Sequence, residues 1–561
     1  MTTFYIQQFG CRATQADGAA LERQLLDLGC IPAPDPASAA IVVLNTCTVT
    51  AAADAQARDA IRKIHAQNPH ARLIVTGCYA QRAPEELATL PGVSHVVGNS
   101  HKPQIPNLVD ALAAESSSGA SCNSTASASN NFFPASALLH DEPIPFHSSI
   151  RAGLAPTATP QFVHIPHLDE APQHAQIHVG DIFAHPEFLS APIQGGESHH
   201  TRPILKIQDG CNNRCSFCVI PYVRGKSRSL PPDQVIREIQ KLVAQPIFAV
   251  HSPARGMSVA RALLPVPVRS FTSSTSSTSR TSAISPAREI VLSGINLGTY
   301  GRDLTPRVEF LDLIRRILDE TTLERLRISS IEPQDVTQDL IDLFASTGRI
   351  AQHFHMPLQS ASDRILVAMH RWYRSEHYSR RVELIHDRLP HAALGADVIA
   401  GFPGETESDH AATLAFIERR PFTYLHVFSY SPRPGTKAAI APNQVPAATI
   451  KRRARELRSL SEAKSSAFRH SQIGRTLRVL TLHRDEHSIN EQTAIAYTPA
   501  LSSNYLRVQI PGIFPSNQWH DVVIKSGEEN YLIAEPAPCH AELSVPSALG
   551  VYPDRVGASS V

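Results

Sequence analysis

Three cysteines, Cys211, Cys215 and Cys218, stand within eight residues of one another. As thiolates they are good ligands for iron or zinc, and a short loop that carries them can wrap one small metal centre. Three protein ligands are one fewer than a structural zinc ion or a fully ligated cubane cluster takes. The spacing therefore favours a metal centre with one open coordination position. The alternative is a structural zinc site with a distant fourth ligand.

A second set of cysteines is dispersed in sequence, at Cys11, Cys47 and Cys78. Each follows directly on a predicted strand, and the three strands are 3–9, 41–44 and 73–76. Because the carboxyl ends of parallel strands share one edge of a sheet, these cysteines are expected to converge there. The pattern predicts a second three-ligand centre. The alternative is three small buried side chains, since an unpaired cysteine packs as a hydrophobe.

The elements that must position these cysteines are strands alternating with helices. The first hundred residues have the pattern of a parallel sheet with crossover helices. A second alternation predicts six further strand–helix units, which we interpret as a partial (β/α)6 barrel whose chemistry lies at the carboxyl ends of its strands. Its predicted strands are 204–208, 289–293, 325–330, 353–357, 395–400 and 423–428.

A small β-barrel is predicted after the second alternation, from five short strands. They are 477–482, 493–497, 505–510, 521–524 and 531–534. The fold class is thus α/β with a terminal all-β module. The predicted divisions are an α/β domain (1–110), a low-complexity linker (111–200), the partial barrel (201–445, with an insert at about 250–286), a connecting helix (446–473), the β-barrel (474–537) and a loosely ordered tail (538–561).

Composition sets limits on the class of protein. The chain has 561 residues, of which 42% are hydrophobic and 18% charged, which is enough apolar material for several cores and excludes a disordered chain. The formal net charge of +1 means that RNA binding would depend on local basic patches. We expect no signal peptide and no membrane span. Nine cysteines in such a cytoplasmic chain suggest metal or redox use instead of disulfides.

The words around the cysteines carry a resemblance. They are FGCRATQAD, NTCTVT, GCYAQ, KIQDGCNNRCSFCVIPYVRGKSRS, GINLGTYG, RISSIEP, HMPLQSASDR, DVIAGFPGETESD and FSYSPRPGT, in that order. Together they resemble the radical S-adenosylmethionine methylthiotransferase family, and within it the MtaB-type branch that acts on N6-threonylcarbamoyladenosine in tRNA. The resemblance covers most of 1–110, 202–245 and 288–535.

The resemblance implies two [4Fe–4S] clusters. Cys11, Cys47 and Cys78 match the ligands of an auxiliary cluster. Cys211, Cys215 and Cys218 match those of the radical cluster, whose open iron binds S-adenosylmethionine. The other cysteines match no ligand, and we expect them to be dispensable; they are Cys30, Cys122 and Cys539.

The implied activity is transfer of a methylthio group to carbon 2 of the modified adenosine beside the anticodon, with an external electron donor. Two alternatives keep this chemistry and change the substrate, to N6-isopentenyladenosine in tRNA or to an aspartate of a ribosomal protein. A third alternative is of another class, a non-catalytic RNA-binding protein with a structural metal.

Further residues are candidates for contact with the cofactor or with RNA, and the sequence signal for each one alone is weaker than that of the cysteines. Contacts to S-adenosylmethionine are expected from Phe217, Gly294, Asn296, Ser330, Glu332, Gln359, Asp397 and Gly401. Contacts to RNA are expected from Arg224, Lys226, Arg228 and, in the terminal barrel, which resembles a TRAM domain, from Tyr505, Arg507 and Trp519. Each has an alternative as a turn residue, a satisfied polar group, a solvated basic residue or part of the barrel core.

Two positions depart from the family pattern. Thr14 stands where asparagine is usual, which places a local hydrogen bond in doubt. Ala361 stands where glycine is usual, and alanine would be strained there if the position needed a positive φ.

Overall fold

The structure is a computed structural model that describes residues 2–118, 175–184, 189, 193–195, 200–244, 247–248, 283–284, 286–483 and 496–538. The predictions for Cys122, Cys539, the terminal tail and most of the two inserts fall outside these residues. Within the described part, none of the helices is both long and apolar enough to cross a membrane.

The N-terminal domain is built on a parallel sheet of six strands in the order β2-β1-β3-β4-β5-β6. The strands are β1 Thr3–Gln8, β2 Ile31–Pro32, β3 Ile41–Thr46, β4 Arg72–Gly77, β5 Val93–Gly98 and β6 Gln176–His178. The apolar residues of β3 and β4 are buried on both faces, which is why these strands are central. β6 lies in the segment predicted to be a linker, and it pairs with β5 as an additional edge strand.

Helices cover both faces of this sheet. They are α1 Arg12–Asp27, α2 Ala51–Gln67, α3 Cys78–Arg82, α4 Pro84–Ala88 and α5 Ile105–Ser118. The apolar spacing of Leu21, Leu25 and Leu28 predicts a helix over 18–28, but α1 begins six residues earlier, directly after Cys11. Its first turns carry small and polar residues, such as Ala16 and Asp17, that are buried against a second domain and not in the sheet's own core. Apolar periodicity therefore did not reveal this part of α1.

The central domain contains the six predicted parallel strands. They are β8 His200–Asp209, β12 Glu289–Gly294, β13 Arg325–Ile328, β14 His353–His355, β15 Ala393–Ala400 and β16 Tyr424–Ser429. β8, β12 and β13 form one parallel run and β14, β15 and β16 another. Parallel bridges from Leu326 to Ile350 and from Ser330 to His355 join the two runs. The architecture confirms the partial sixfold barrel.

Short strands flank the barrel, and the helices of this domain other than α6 cover its convex side. The additional strands are β7 Ile193–Gly195, β9 Arg228–Ser229, β10 Ile247–Phe248 and β11 Ala283–Ile284. The helices are α6 Ile220–Arg224, α7 Pro232–Ala244, α8 Phe310–Glu320, α9 Gln338–Ser346, α10 Asp363–Ala368, α11 Ser375–Arg388, α12 Glu407–Arg419 and α13 Ala447–His470. Side chains alternate along each strand, so Leu394 and Ala396 of β15 join the core under the helices and Asp397 faces the concave side.

The C-terminal domain is a closed barrel in the order β17-β18-β19-β21-β20. Its strands are β17 Thr476–Thr481, β18 Tyr497–Ser502, β19 Arg507–Pro511, β20 Trp519–Gly527 and β21 Leu532–Pro536. The strand predicted at 493–497 in fact begins at Tyr497. Pro499 and the following serines disfavour a strand prediction, yet the Pro499 carbonyl accepts a backbone hydrogen bond from Leu482.

A buried ionic contact docks the terminal barrel onto the central domain. Glu289 is fully buried and pairs with Arg325 and Arg327. Arg325 Nη2 donates to the Leu501 carbonyl at 3.1 Å, and Arg327 Nη2 donates to the Ser502 carbonyl at 3.0 Å. The two arginines therefore link the buried Glu289 carboxylate to the last two residues of β18.

Two aromatic residues proposed for RNA contact lie at this junction. The Arg325 guanidinium lies 4.3 Å from the ring centroid of Trp519. The Tyr505 ring stacks on His353 with 4.4 Å between centroids. The expectation that Trp519 and Tyr505 stack on RNA bases does not fit these positions, because both rings pack between the domains.

Glu289→Gln tests the ionic contact. Burial alone would raise the pKa of Glu289, but Arg327 and Arg325 outweigh it and hold the pKa below its ordinary value. Removing this charge leaves two buried guanidinium groups uncompensated, so we expect a loss of about 3–5 kcal/mol in the free energy of unfolding, measured by urea denaturation.

The matched control is Glu324→Gln, which removes an exposed carboxylate paired with Arg288 at 3.5 Å. That change should stay within about 0.5 kcal/mol of the parent chain. Equal destabilisation by the two substitutions would contradict the docking role of Glu289.

Candidate active site

The loop of residues 211–218 leaves the carboxyl end of β8 and is held from three directions. The Cys211 amide donates to the Gly225 carbonyl at 3.1 Å. The Ser216 amide donates to the Met369 carbonyl at 3.1 Å, and the Ser216 carbonyl accepts from the Ala438 amide at 2.8 Å. The loop that carries the three clustered cysteines is thus held in place by hydrogen bonds to the surrounding backbone.

The three thiols of this loop lie among polar partners. Arg371 Nη1 lies 3.4 Å from Cys215 Sγ, and Asn296 Nδ2 lies 3.9 Å from Cys211 Sγ. Burial, followed by the charges of Cys215 and Cys211, raises the pKa of Cys218 to about 12. Thiolates crowded in this way repel one another unless a cation neutralises them, which fits a metal-binding role.

The surroundings of Asn296 also fit a bound cofactor. Its backbone amide donates to Gln208 Oε1 at 2.7 Å, which fixes the turn after β12. Its buried side-chain oxygen has no hydrogen-bond partner among the residues that the structure describes. A buried acceptor without a donor is rare in native proteins and indicates a ligand with N–H or O–H groups.

The second set of cysteines is gathered at one edge of the N-terminal sheet. Cys11, Cys47 and Cys78 follow β1, β3 and β4, which are neighbours in that sheet. Burial, followed by the charges of Cys78 and Cys11, raises the pKa of Cys47 to about 11. Gly10 has a φ of 97°, and a Cβ placed there would come within 2.4 Å of Cys47 Cβ. Glycine at this position allows the backbone beside Cys11 to approach Cys47.

A short helix separates the two sets of cysteines. Cys78 packs against Val219 and Val223 of the segment that begins directly after Cys218. Asn99 Nδ2 lies 3.6 Å from Cys78 Sγ and donates to the Val223 carbonyl at 2.7 Å. The N-terminal set therefore lies against one side of α6, and the loop of the second set leads into the start of α6.

Five buried charges join the two domains at this place. Arg224 pairs with Asp209 at 3.0 Å and with Asp17 at 3.1 Å. Lys102 lies 2.9 Å from Asp17, and Lys206 pairs with both carboxylates. Burial would raise the pKa of Asp17, but the neighbouring cations hold it at about 2. We call these five residues the interface ion cluster.

The basic residues after Cys218 have different environments. The expectation that Arg224 meets RNA phosphate does not fit, because its side chain is buried in the interface ion cluster. Arg228 is partly buried and donates to the Arg224 carbonyl at 2.7 Å. Lys226 and, in β19, Arg507 are exposed and remain candidates for phosphate contact.

Several expected cofactor contacts are occupied by the protein itself. A Cβ at Gly401 would lie 2.4 Å from Ile450, and one at Gly294 would lie 2.8 Å from Leu297, so packing explains both glycines. The Phe217 ring meets Phe402 edge-on, with 6.3 Å between centroids.

The polar residues expected to contact S-adenosylmethionine near the strand ends differ in their partners and in their exposure. Glu332 pairs with Arg371, the residue that reaches Cys215. Ser330 is exposed at the end of β13. Gln359 has a φ of 61°, and its amide donates to the Asp397 carbonyl at 2.7 Å.

The two departures from the family pattern are accommodated. Ala361 is not among the residues with positive φ, so alanine is unstrained there, and Gln359 adopts that conformation instead. Thr14 Oγ1 lies 3.5 Å from Cys11 Sγ and accepts a hydrogen bond from Arg224 at 3.3 Å. Threonine thus supplies a polar contact beside Cys11.

Sequence reasoning missed two features of the site. Arg371 reaches Cys215 from the turn after α10, and no local pattern marks it. A cluster on the concave side of the barrel brings donor atoms of His355, Asp397 and His426 within 4.8 Å of one another. The period-2 spacing of polar residues in β14 and β16 could have indicated this cluster.

Comparison with known proteins agrees with the fold and the site. Residues 3–98 match a family model described as "Uncharacterized protein family UPF0004", and residues 205–252 and 286–417 match the radical SAM superfamily. Together with the cysteine loop at the end of β8, this defines a radical S-adenosylmethionine enzyme.

Relatives narrow the class. The chain is 30% identical to a threonylcarbamoyladenosine tRNA methylthiotransferase MtaB of Aquifex aeolicus, over 85% of this chain and 92% of the relative. It is 29% identical to the protein of the same name from Bacillus subtilis, over 91% of each chain. It is also 30% identical to a tRNA-2-methylthio-N(6)-dimethylallyladenosine synthase of Syntrophobacter fumaroxidans, over 81% of this chain and 79% of the relative. The chain belongs to the radical S-adenosylmethionine methylthiotransferase family.

Replacing either cysteine set should remove about half of the bound iron. After anaerobic reconstitution the parent chain is expected to hold about eight iron atoms, and alanine at Cys11, Cys47 and Cys78 should leave about four. Alanine at Cys211, Cys215 and Cys218 should do the same, because the two sets do not share ligands. Iron and sulfide analysis measures this.

Cys30→Ser is the control, since Cys30 packs at the edge of an apolar core and matches no ligand. It should keep the full iron content. A parent chain with about four irons, or a triple variant that is folded by circular dichroism yet retains about eight, would contradict the assignment of two sites.

Proposed function

We propose that this chain attaches a methylthio group to carbon 2 of N6-threonylcarbamoyladenosine beside the anticodon of tRNA, giving 2-methylthio-N6-threonylcarbamoyladenosine, in the cytoplasm. The names of the Aquifex and Bacillus relatives support this substrate. An external electron donor completes the proposed set of partners, with tRNA and S-adenosylmethionine.

The observation that carries the proposal is the closeness of the two cysteine sets. Cys78 packs against Val219, the residue that follows Cys218. Cys211, Cys215 and Cys218 would hold the cluster that binds S-adenosylmethionine, and Cys11, Cys47 and Cys78 would hold an auxiliary [4Fe–4S] cluster. The chemistry that these groups supply when bound is hydrogen abstraction from an unactivated aromatic carbon and delivery of a methylated sulfur.

The chain's own residues orient and shield this chemistry. Arg371, anchored by Glu332, places a positive charge 3.4 Å from Cys215 Sγ. Beside Cys211, Asn296 offers a side-chain oxygen that has no hydrogen-bond partner among the described residues. The interface ion cluster seals the junction between the domains, because all five of its side chains are buried. Water is thereby kept out of the junction itself, whereas Cys11 at its edge is exposed.

The concave side of the barrel supports a polar substrate. Its lining on β14, β15 and β16 includes His353, His355, Asp397, Tyr424 and His426. A pocket for the five-carbon dimethylallyl group would be lined mostly by apolar side chains, whereas the threonylcarbamoyl group carries a carboxylate, a hydroxyl and amides. Dimethylallyladenosine is the second candidate, because the Syntrophobacter relative bears that name.

The modified nucleosides of tRNA test the substrate. In a deletion strain, mass spectrometry should find 2-methylthio-N6-threonylcarbamoyladenosine absent and its unthiolated precursor accumulated. The parent gene should restore the product, and a gene with alanine at Cys211, Cys215 and Cys218 should not.

Persistence of this nucleoside in a strain without a second enzyme of the family would refute the proposed substrate. Loss of the 2-methylthio form of isopentenyladenosine instead would select the second candidate. A purified protein that binds zinc and releases no 5′-deoxyadenosine from S-adenosylmethionine would point to the non-catalytic alternative.

A further inference from the structure

Arg12 is a half-buried cation that has no anionic partner in the described part of the chain. It follows Cys11 and opens α1. Its Nη2 lies 3.4 Å from the Tyr505 hydroxyl, and across the described ranges no Asp or Glu lies within ion-pair distance of it. An arginine at the edge of an interior normally has a carboxylate or phosphate nearby, because desolvating an unpaired charge is costly.

The Arg12 guanidinium faces the concave side of the central barrel, because the Tyr505 ring beside it stacks on His353 at 4.4 Å and lies 6.1 Å from the Tyr424 ring, centroid to centroid. The pKa of His353 in β14 is lowered by burial, then by the charges of Arg327 and His355. The positive charge of Arg12 adds to this shift. It also opposes the upward shift that burial imposes on the pKa of Tyr424 in β16. Arg12 therefore brings a charge from the N-terminal domain to the polar wall formed by β14, β15 and β16.

That wall presents an oriented histidine. Leu425 and Val427 of β16 pack in the core on the convex side, so His426 between them faces the concave side. Its Nδ1 lies 3.3 Å from Asp397 Oδ1, and its side chain is 56% exposed. With Nδ1 held by Asp397, Nε2 is left for a substrate atom.

The carboxylates on this side of the barrel already have partners within the protein. Asp397 meets His355 Nε2 at 2.9 Å as well as His426, and these contacts outweigh burial and lower its pKa. Glu289 is paired with Arg325 and Arg327. A metal ion on His355, Asp397 and His426 would add positive charge beside Arg12 and leave it still unpaired. The missing partner is an anion.

We propose that Arg12 and His426 form a subsite for a carboxylate-bearing substituent of the substrate base, with Arg12 binding the carboxylate and His426 Nε2 contacting the adjacent hydroxyl. This rests on the proposed function, in which the N6 substituent carries both groups. A guanidinium fork matches the two oxygens of a carboxylate, which an apolar substituent lacks. The subsite would thus select threonylcarbamoyladenosine over dimethylallyladenosine.

The test compares two anticodon stem-loop RNAs that differ in one group, N6-threonylcarbamoyladenosine and its carboxylate methyl ester. Binding is measured by fluorescence anisotropy with the full-length, anaerobically reconstituted chain, and turnover is measured by mass spectrometry. The parent chain should bind the acid about 10- to 100-fold more tightly than the ester, the effect of a charge-assisted hydrogen-bonded pair.

Arg12→Gln should abolish this preference, because it weakens binding of the acid RNA and leaves binding of the ester RNA unchanged. Arg12→Lys should keep part of the preference. His426→Phe should weaken binding of both RNAs by the same factor, smaller than the effect of Arg12→Gln on the acid RNA, because the hydroxyl is present in each RNA. Arg23→Gln, on an exposed position of the same helix, should behave as the parent chain.

Equal binding of acid and ester by the parent chain would overturn the subsite, even if no variant folds. Equal weakening of both RNAs by Arg12→Gln would also overturn it and assign Arg12 to an RNA phosphate. These outcomes differ from failure of the proposed function, in which the parent chain gives no methylthiolated product from the threonylcarbamoyl RNA and methylthiolates a dimethylallyl RNA instead.

Discussion

Five charged side chains buried between the N-terminal sheet domain and the central barrel constrain the rest of the molecule. Three cations, Lys102, Lys206 and Arg224, face two carboxylates, Asp17 and Asp209. Charges this deeply buried are tolerated only when they are paired, so α1 has one register in which it can dock against β8 and α6. Burial lowers the pKa of Arg224, but Asp209, Cys78, Asp17 and Cys11 outweigh it and raise the pKa above its ordinary value. The surplus positive charge therefore lies near the thiols of Cys78 and Cys11.

The position of both cysteine sets follows from this docking. α6 follows the cysteine loop of residues 211–218 and packs on Cys78. Because Arg224 is the last residue of α6, its ion pairs fix the distance between the two cysteine sets. A second buried pair, Arg433 with Asp54, ties α2 to the loop after β16. The terminal barrel contacts β13 of the central domain through Arg325 and Arg327. Contacts at these separate places hold the N-terminal, central and terminal domains around one concave, polar space.

Much of this fold could be predicted from local sequence, and the failures have a physical pattern. Hydrophobic runs and turn residues located all six barrel strands. The spacing of thiols indicated the set at 211–218, and the predicted strand ends indicated the set of Cys11, Cys47 and Cys78. The basic loop around Arg224 appeared solvated because its partner Asp17 lies more than two hundred positions earlier in the chain. Gln176–His178 is too short to be recognised without the sheet that it extends. The roles of Arg12 and Arg371 could not be predicted, because their contacts are with residues that are distant in sequence.

Coupling between the two cysteine sets can be measured directly with Arg224→Met. This change leaves two lysines facing two aspartates, so the interface ion cluster loses its surplus positive charge and becomes neutral, and the chain should still fold and bind about eight irons. We expect S-adenosylmethionine cleavage to 5′-deoxyadenosine to continue, while methylthiolated nucleoside formed per 5′-deoxyadenosine falls at least about tenfold, with partial recovery in Arg224→Lys. An unchanged ratio in the methionine variant would show that the buried charges do not align the two sets.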